Sequence, residues 1–419
     1  MDLPISTLVR FVRAYRAGAG LEYDVDILNE SLLRRYPLHI IHVHMTLPGE
    51  SLAWSEEKVG RGRITYVPIE RDVLPVGRGS NNSIASSRWR RRIRDELVFS
   101  PLLRPLLRRW AQTHRPSFRP GDVVGVREVL QTIFDRENPE LLMVHAGGGQ
   151  DAWDALSMAR ERQIPRGMLL HYANDKYLDG SVRLQTFLAD GCAGVSDVKV
   201  PAYLRSKFAP LFTAVDTEKY CPDSEPGKPS GDAPVLFLPA RIVPSKGHDD
   251  LLAAAIRLKA KGLKFRVAIA GRTDQPDYEA DLRGRITAAG LEGSFDFLGM
   301  LDEPDMIAWY RRSFVLAFPT YHHEGCPRII LEAAACGLPT ITYDTGGTRA
   351  ALRPDKTGLI LATGDVSGFT AALERLLSSP NEAAGMGQAA RRLMQHEFNR
   401  GRLVERHVRF YRRLLGLAG

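Results

Sequence analysis

The sequence predicts an α/β protein with two domains, each organised around a parallel sheet. Its 419 residues are enough for two domains of about 200 residues each. Short apolar runs alternate with helical patterns, and parallel strands need such helical crossovers. Residues 224–232 (SEPGKPSGD) have the composition of a linker. We therefore expect a first domain over 1–222, a linker over 223–234, a second domain over 235–399, and a C-terminal helix over 400–419 that packs back across the first domain.

The composition is that of an ordinary globular protein, with 44% hydrophobic and 25% charged residues. It contains no run of about 18 uncharged apolar residues, and Met1-Asp2-Leu3-Pro4 lacks the basic start of a signal peptide, so we expect a cytoplasmic protein. The net charge of +8 favours polyanionic partners or membrane surfaces without choosing between them. The cysteines lack C-x-x-C spacing and suit reduced thiols; they are Cys192, Cys221, Cys326 and Cys336.

The N-terminal elements are predicted from their apolar patterns. Residues 8–15 fit an amphipathic helix. Strands are predicted over residues 23–28, 38–44 and 61–68. His42 and His44 alternate with apolar residues, so they share one face of the sheet. We expect these two histidines to be buried and hydrogen-bonded rather than ligands.

The most basic part of the chain is an arginine-rich segment over residues 87–120, in which Trp89, Phe99 and Trp110 are interleaved. Two interpretations remain open: a basic helix lying on anionic lipid, or a solvated helix with its apolar side in the domain core. No recognised nucleic-acid module accompanies the segment, so nucleic-acid binding is not expected. Its arginines are Arg88, Arg90, Arg91, Arg92, Arg94, Arg104, Arg108, Arg109, Arg115 and Arg119.

Two histidines close predicted strands in the middle of the chain. The strand over 139–145 ends at His145 and is followed by glycines that include Gly148, and the strand over 167–171 ends at His171. A polar residue at the end of a parallel strand faces the ligand crevice. His171 is therefore the stronger candidate for the cleft and His145 the weaker one, and a packed histidine remains the alternative for both.

Residues 314–344 predict one complete βαβ unit. An apolar run over 314–318 suits a buried strand, and Pro327 is tolerated at the first position of a helix. Strong helix formers follow to Cys336, where Gly337 marks the helix end, and residues 340–343 form the next short strand.

Two carboxylates, Glu324 and Glu332, frame this helix. The first helical turn offers free N–H groups and the positive end of the helix dipole, which together suit an anion. A phosphate held there would have one carboxylate on each side, able to accept hydrogen bonds from hydroxyls. That arrangement suits a sugar attached to a nucleotide diphosphate. The alternative is an ordinary loop with two solvated glutamates.

The two glutamates form E-x7-E within EGCPRIILEAAACGLPTI, which resembles the signature of retaining glycosyltransferases of family 4. The resemblance implies the GT-B fold, in which two Rossmann-like domains with parallel sheets face each other across a cleft. In that family the first glutamate faces the donor sugar and the second binds the nucleotide ribose, roles that would fall to Glu324 and Glu332. The donor-binding turn between them would comprise Gly325, Cys326, Pro327 and Arg328.

The resemblance extends from about Pro139 to Leu415. The family has an arginine and a lysine at the spacing of Arg241 and Lys246, and each reaches the donor diphosphate. Two such cations could neutralise the leaving group. Met300 would lie near the base. The glutamate that usually follows the family's GG pair is replaced by Ala350, which makes that helix a less certain contact.

The same resemblance bears on the first domain. It makes His171 a catalytic candidate and places His145 and Gly148 on the acceptor side. The family usually begins with a strand followed by a glycine pair. Either that strand is lost before Pro4, or residues 38–44 are strand one, and we favour the second.

The sequence therefore predicts a hexosyltransferase-type enzyme that moves a sugar from a nucleotide-diphosphate-sugar to a sugar, lipid-linked or small-molecule acceptor, with retention of configuration. No D-x-D metal site is evident, so neither a metal nor another cofactor is expected, and Arg241 and Lys246 would take the metal's place. We expect front-face attack assisted by the departing phosphate. The alternatives are a GT-B nucleotide-sugar 2-epimerase and a catalytically dead sugar-nucleotide-binding protein. A cytoplasmic enzyme peripheral to the membrane, docked through Arg88–Arg119, is the expectation if the acceptor is lipid-linked.

Overall fold

A computed structural model describes residues 2–12, 21–46, 53–70, 126–145, 150–170, 180–196, 200–223 and 233–417. The chain forms two compact units. Unit 1 comprises Met1–Leu211 and Leu403–Gly419, and unit 2 comprises Phe212–Arg402. The arginine-rich segment, Gly148 and His171 lie outside the described residues.

Unit 1 contains a mostly parallel sheet with helices between its strands. Its strands are β1 (Thr7–Val12), β2 (His39–Thr46), β3 (Ser55–Val59), β4 (Gly62–Glu70), β5 (Leu141–His145), β6 (Arg166–Leu170), β7 (Gly191–Gly194) and β8 (Phe208–Pro210). Its helices before unit 2 are α1 (Leu21–Arg35), α2 (Val126–Glu137), α3 (Gln150–Glu161) and α4 (Gly180–Leu188). The strand order is β3-β4-β2-β1-β5-β6-β7-β8, and only the β3–β4 pair is antiparallel among the described pairs.

Strand β1 corrects two predictions. Residues 8–15 were expected to be helical, but Thr7–Val12 is a fully buried strand that pairs with β2 on one side and β5 on the other. The charge of Arg10 in the middle of this apolar run gives it an amphipathic pattern. The interpretation of residues 38–44 as strand one is therefore also wrong, because β1 precedes that strand and lies beside it.

Helix α1 corrects a third prediction, since residues 23–28 were expected to be a strand. The alternation of Tyr, Asp, Val, Asp and Ile in this stretch is strand-like, but Val25, Leu28 and Leu32 are buried at helical spacing. The remaining predicted elements named above in unit 1 are confirmed where they are described, with boundary differences of one or two residues.

Unit 2 contains a six-stranded sheet in which every described pair is parallel. Its strands are β9 (Val235–Pro239), β10 (Arg266–Ala270), β11 (Phe295–Phe297), β12 (Val315–Phe318), β13 (Thr340–Tyr343) and β14 (Gly358–Leu361). Its helices are α5 (His248–Ala260), α6 (Pro276–Ala288), α7 (Glu303–Arg312), α8 (Arg328–Ala335), α9 (Thr348–Ala351), α10 (Val366–Ser378) and α11 (Pro380–Glu397). The predicted βαβ unit is confirmed as β12–α8–β13.

The strand order of unit 2 is β11-β10-β9-β12-β13-β14. The chain therefore adds strands outward in one direction from β9 to β11, then crosses back and adds β12 to β14 on the other side of β9. Open parallel sheets bind ligands at such a reversal, outside the carboxyl ends of the strands. In unit 2 the reversal lies between β9 and β12.

The last helix, α12 (Arg400–Leu414), packs on the sheet of unit 1. A Cβ atom added at Gly191 in β7 would lie 2.8 Å from Leu414 and 3.1 Å from Phe410. Glycine is therefore what allows the helix to approach this strand closely. At the other boundary, residues 212–222 group with unit 2, where the Val215 amide donates to the carbonyl of Phe398 at 2.9 Å.

Two buried histidines of unit 1 make its stability sensitive to acid. Burial lowers the pKa of His42 and of His407 from 6.5 to about 3. Both are neutral in the folded protein near pH 5, whereas unfolded histidines take up protons below about pH 6.5. The free energy of unfolding should therefore fall as the pH drops from about 6.5 toward 3, by about 1.4 kcal/mol per pH unit for each histidine.

We expect His407→Gln to reduce the slope of the unfolding free energy against pH between about pH 6 and pH 4. The reduction should correspond to about one fewer proton taken up on unfolding. His407 Nδ1 donates to the carbonyl of Leu403 at 2.9 Å, and a glutamine can replace that donor without titrating. Urea unfolding at a series of pH values measures the slope. A slope equal to that of the wild type would show that His407 is not a buried neutral group.

Candidate functional site

The predicted donor residues of unit 2 follow the carboxyl ends of its strands. Arg241 and Lys246 follow β9, and Glu324 follows β12, so they belong to the two loops that flank the strand-order reversal. Met300 follows β11 and its side chain is 72% exposed. The sheet topology thus brings residues about 80 positions apart in sequence to one edge.

The loop after β9 is shaped by a single turn of 3-10 helix, Pro244–Lys246, which Gly247 ends in the left-handed conformation with φ 80°. A Cβ atom on Gly247 would lie 2.0 Å from the carbonyl oxygen of Pro319 in the loop after β12. The Ser245 carbonyl accepts hydrogen bonds from the amides of Tyr321 at 2.9 Å and His322 at 3.1 Å. The two loops are therefore joined by their backbones.

Lys246 and Glu324 are joined by their side chains as well. Lys246 Nζ donates to Glu324 Oε1 at 2.7 Å, and the two side chains are only 13% and 15% exposed. The attraction between opposite charges is stronger at this low exposure than at the surface. The Lys246 ammonium also lies 5.6 Å from the centroid of the Phe318 ring, within the range of a cation–π contact.

Both oxygens of Glu332 accept hydrogen bonds from protein groups. Tyr310 Oη donates to Glu332 Oε2 at 2.9 Å, and Arg328 donates to Oε1 at 2.9 Å. Burial and the neighbouring Glu332 carboxylate raise the pKa of Tyr310 well above its ordinary value of 10, so its hydroxyl remains a donor. The Glu332 carboxylate is thereby fixed in orientation, and each oxygen keeps a second lone pair for a ligand hydroxyl.

Arg241 contacts a carboxylate that the sequence did not single out. Its guanidinium donates to Asp274 Oδ2 at 2.6 Å, while Arg272 lies 2.9 Å from the other oxygen. The Arg241 side chain is 51% exposed, so this ion pair is weak and readily exchanged for an anionic ligand. Tyr310 and Asp274 were missed because each lies on another element, and neither belongs to a local motif.

The glycine pair after β13 packs against the loop that carries Glu324. The Gly347 amide donates to the Glu324 carbonyl at 2.9 Å, and a Cβ on Gly347 would lie 1.8 Å from the carbonyl oxygen of Gly325. These glycines let two loops touch at the N-terminal side of α8, where Pro327 is the N-cap. Ala350, in place of the family's glutamate, is a buried residue of α9.

In unit 1, His145 ends β5 and is buried. Arg10 Nη1 lies 2.9 Å from His145 Nε2, and Arg10 Nη2 donates to Tyr411 Oη at 3.0 Å. A guanidinium only donates, so Nε2 is the acceptor and the proton of the neutral imidazole is on Nδ1. The expectation for His42 is confirmed, because it is buried and lies 3.1 Å from the Asn29 amide.

Within the described part of the chain, no group of three or more His, Cys, Asp or Glu side chains is arranged to hold a metal ion. No helix among the same residues is both long and apolar enough to cross a membrane.

Residues 223–393 match the family of glycosyl transferases group 1. This group 1 region contains every predicted donor residue described above. A GDP-mannose-dependent alpha-(1-6)-phosphatidylinositol monomannoside mannosyltransferase from Mycolicibacterium smegmatis is 29% identical over 214 residues, which are 46% of this chain and 55% of the relative. Glycogen synthase from Mycobacterium tuberculosis is 31% identical over 172 residues, 41% of this chain and 40% of the relative. The chain thus spans about half the length, or less, of these curated relatives.

Solved structures resemble the whole chain at low identity. Sucrose-phosphate synthase from Thermosynechococcus elongatus has a TM-score of 0.68 at 17% identity, over 98% of this chain and 99% of that one. Anabaena HepE in complex with UDP has a TM-score of 0.68 at 14% identity, over 95% and 98% of the two chains. With the two parallel-sheet units, these neighbours show that the chain has the GT-B fold.

A matched pair of glycines tests the close contact between the loops. Gly247 and Gly262 both have left-handed backbones, with φ 80° and 75°, but a Cβ on Gly262 would meet nothing within 4 Å. We expect Gly262→Ala to destabilise the protein by about 1–2 kcal/mol through backbone strain alone. Gly247→Ala should cost about 1–3 kcal/mol more, because its methyl group would overlap the Pro319 carbonyl. Chemical denaturation of both variants measures the difference, and equal losses would contradict the contact.

Proposed function

We propose that this protein is a retaining glycosyltransferase that moves a sugar from a nucleotide-diphosphate-sugar to an acceptor. The observation that carries the proposal is the Lys246–Glu324 ion pair, which joins the two loops flanking the strand-order reversal within the group 1 region. A cation for the diphosphate and a carboxylate for the sugar then lie side by side at the position where open parallel sheets bind ligands.

In this proposal the donor diphosphate is held by Lys246 and Arg241. Each cation contacts a carboxylate that an incoming phosphate can replace, Glu324 for Lys246 and Asp274 for Arg241. The first turn of α8 adds backbone N–H groups and the positive end of a helix dipole. When the bond to the sugar breaks, negative charge grows on the leaving phosphate, and both cations are already in position to stabilise it.

The two glutamates recognise different parts of the donor. Glu332, held by Tyr310 and Arg328, accepts hydrogen bonds from the ribose hydroxyl pair. Glu324 contacts the sugar once Lys246 turns to the diphosphate. Gly325, Cys326, Pro327 and Arg328 form the turn between the two glutamates, and Met300 lies near the base.

The chemistry we propose is front-face substitution without a metal. The acceptor hydroxyl attacks the anomeric carbon from the side on which the nucleoside diphosphate departs, and its proton passes to the leaving phosphate. Configuration is therefore retained without a covalent sugar–enzyme intermediate. His171 is proposed as a catalytic residue of the first unit, and His145 and Gly148 as residues on the acceptor side.

The acceptor is proposed to be a glycan, a glycolipid headgroup or a small molecule. The relatives' names mention both a phosphatidylinositol monomannoside and glycogen.

If the acceptor is lipid-linked, we propose that the enzyme works at the cytoplasmic face of the membrane and is attracted to it through Arg88–Arg119. Each arginine near an anionic surface contributes about 1 kcal/mol. We then expect the protein to co-sediment with anionic vesicles but not with neutral vesicles, and to lose this binding at high salt. If it does not bind anionic vesicles, a soluble acceptor becomes the better interpretation.

A panel of UDP-, GDP-, ADP- and TDP-sugars tests the function directly. The cognate donor should raise the melting temperature, because a ligand bound only to the folded protein stabilises it by mass action. Incubation with that donor and a set of sugar, lipid-linked and small-molecule acceptors then separates the alternatives. A transferase releases nucleoside diphosphate in proportion to a glycosylated product, an epimerase yields an isomerised sugar nucleotide, and a binding protein yields neither.

Replacing each of the two glutamates by alanine should affect different properties, nucleotide affinity for Glu332 and turnover for Glu324. Glu332→Ala should weaken binding of the free nucleoside diphosphate about 10-fold or more, because the ribose hydroxyls lose a charged acceptor. Glu324→Ala should leave nucleotide affinity nearly unchanged and lower turnover, since its partner is the sugar. Calorimetry with the cognate nucleotide measures the first effect and initial rates the second. Equal losses of nucleotide affinity in both variants would contradict these roles.

A further inference from the structure

A hydrogen-bonded cluster outside the donor contacts joins helix α5, which follows the turn that carries Lys246, to the loop after β12 and to β13. Asp250 lies in the first turn of α5, four residues after Lys246. Its Oδ2 atom accepts hydrogen bonds from Tyr321 Oη at 2.7 Å and from Tyr343 Oη at 2.6 Å. None of these three residues has a role in the donor contacts described above.

The two tyrosines differ in where they anchor the cluster. Tyr343 ends β13 and is fully buried against Phe369, with ring centroids 5.8 Å apart. Tyr321 lies in the loop after β12, is 45% exposed, and meets the Tyr343 ring edge-on at 5.5 Å. Partial burial and the hydrogen bond to Asp250 raise the pKa of Tyr321 to about 12, so its hydroxyl stays a donor. Asp250 is thus fixed to the core by one tyrosine and reaches the loop through the other.

Tyr321 is well placed to control the position of Glu324, three residues further along the loop. Its amide and that of His322 donate to the Ser245 carbonyl, in the residue before Lys246. The loop is therefore restrained by two kinds of hydrogen bond, from its backbone to Ser245 and from the Tyr321 side chain to Asp250. Ser245 and Asp250 both lie within four residues of Lys246 in the sequence.

We propose that Asp250 and Tyr321 are positioning residues that set the separation between Lys246 and Glu324. A hydrogen bond to an ionised carboxylate is about twice as strong as one between neutral groups. The bond from Tyr321 to Asp250 therefore restrains the loop more than the backbone hydrogen bonds of the loop would alone. The proposal rests on the proposed function for its kinetic consequences only, because the restraint on the loop can be measured without a substrate.

The chain supplies a matched control on the same helix. Tyr278 Oη donates to Oδ2 of Asp249 at 2.9 Å, one residue before Asp250. This second tyrosine–aspartate bond joins α5 to α6 rather than α5 to the loop after β12. Tyr278→Phe therefore removes the same chemical group without touching the restraint on Glu324.

The experiment compares Tyr321→Phe, Asp250→Asn and Tyr278→Phe in the full chain. Hydrogen exchange of the Tyr321 and His322 amides should become about tenfold faster in the first two variants, because a charge-assisted restraint on their loop is lost. With the cognate donor, kcat should fall about tenfold while KM changes less than about twofold, since Lys246 and Glu324 are present but misplaced. Tyr278→Phe should match the wild type in both measurements.

The proposal would be overturned if Tyr321→Phe kept both the hydrogen-exchange rates and the kcat of the wild type. It would also be overturned if Tyr278→Phe changed both quantities as much as Tyr321→Phe does. If Asp250→Asn does not fold, Tyr321→Phe decides alone, because it removes one oxygen atom from a half-exposed side chain. If the wild type neither binds nor uses any sugar nucleotide, the proposed function fails, and the exchange comparison still decides whether Asp250 restrains the loop.

Discussion

The reversal of strand order between β9 and β12 is the constraint on which the site of unit 2 depends. After these two neighbouring parallel strands the chain continues toward opposite edges of the sheet, so the loops that follow them diverge. Side chains from both loops fill the space between them. Lys246 and Glu324 meet there at 2.7 Å. The sheet of unit 1 repeats this order around β1 and β5, and there Arg10 and His145 meet at 2.9 Å. Each unit thus carries a polar contact across its own reversal.

Local signals in the sequence were sufficient for the βαβ unit of unit 2. An apolar run, a proline before a helix and a glycine after it predict β12, α8 and β13, because each signal acts within a few residues. Strand β1 could not be predicted in this way. Arg10 is accommodated in a buried strand by contacts that include His145 and Tyr411, which lie 135 and 401 residues away. Nothing near Arg10 in the sequence reveals these partners.

The same distinction applies to the candidate site. Glu324 and Glu332 are recognisable because a turn and one helix fix their spacing. Two groups that contact the predicted donor residues come from other elements: Tyr310 of α7 contacts Glu332, and Asp274 after β10 contacts Arg241. Their positions follow from the strand order, which a single sequence does not reveal. The departure at Ala350 has a local physical meaning, since its side chain is buried and a glutamate there would need a partner for its charge.

The return of α12 to unit 1 affects how the chain can fold during synthesis. The first segment of unit 1 ends at Leu211 and its last segment begins at Leu403. At about 5–20 residues per second, a ribosome needs roughly 10–40 seconds to make the residues between them. During that interval the first sheet lacks the helix that packs on Gly191, and the Arg10 guanidinium lacks the Tyr411 hydroxyl. Unit 2 is complete in sequence before unit 1, so the unit whose synthesis begins first is the unit whose sequence is completed last.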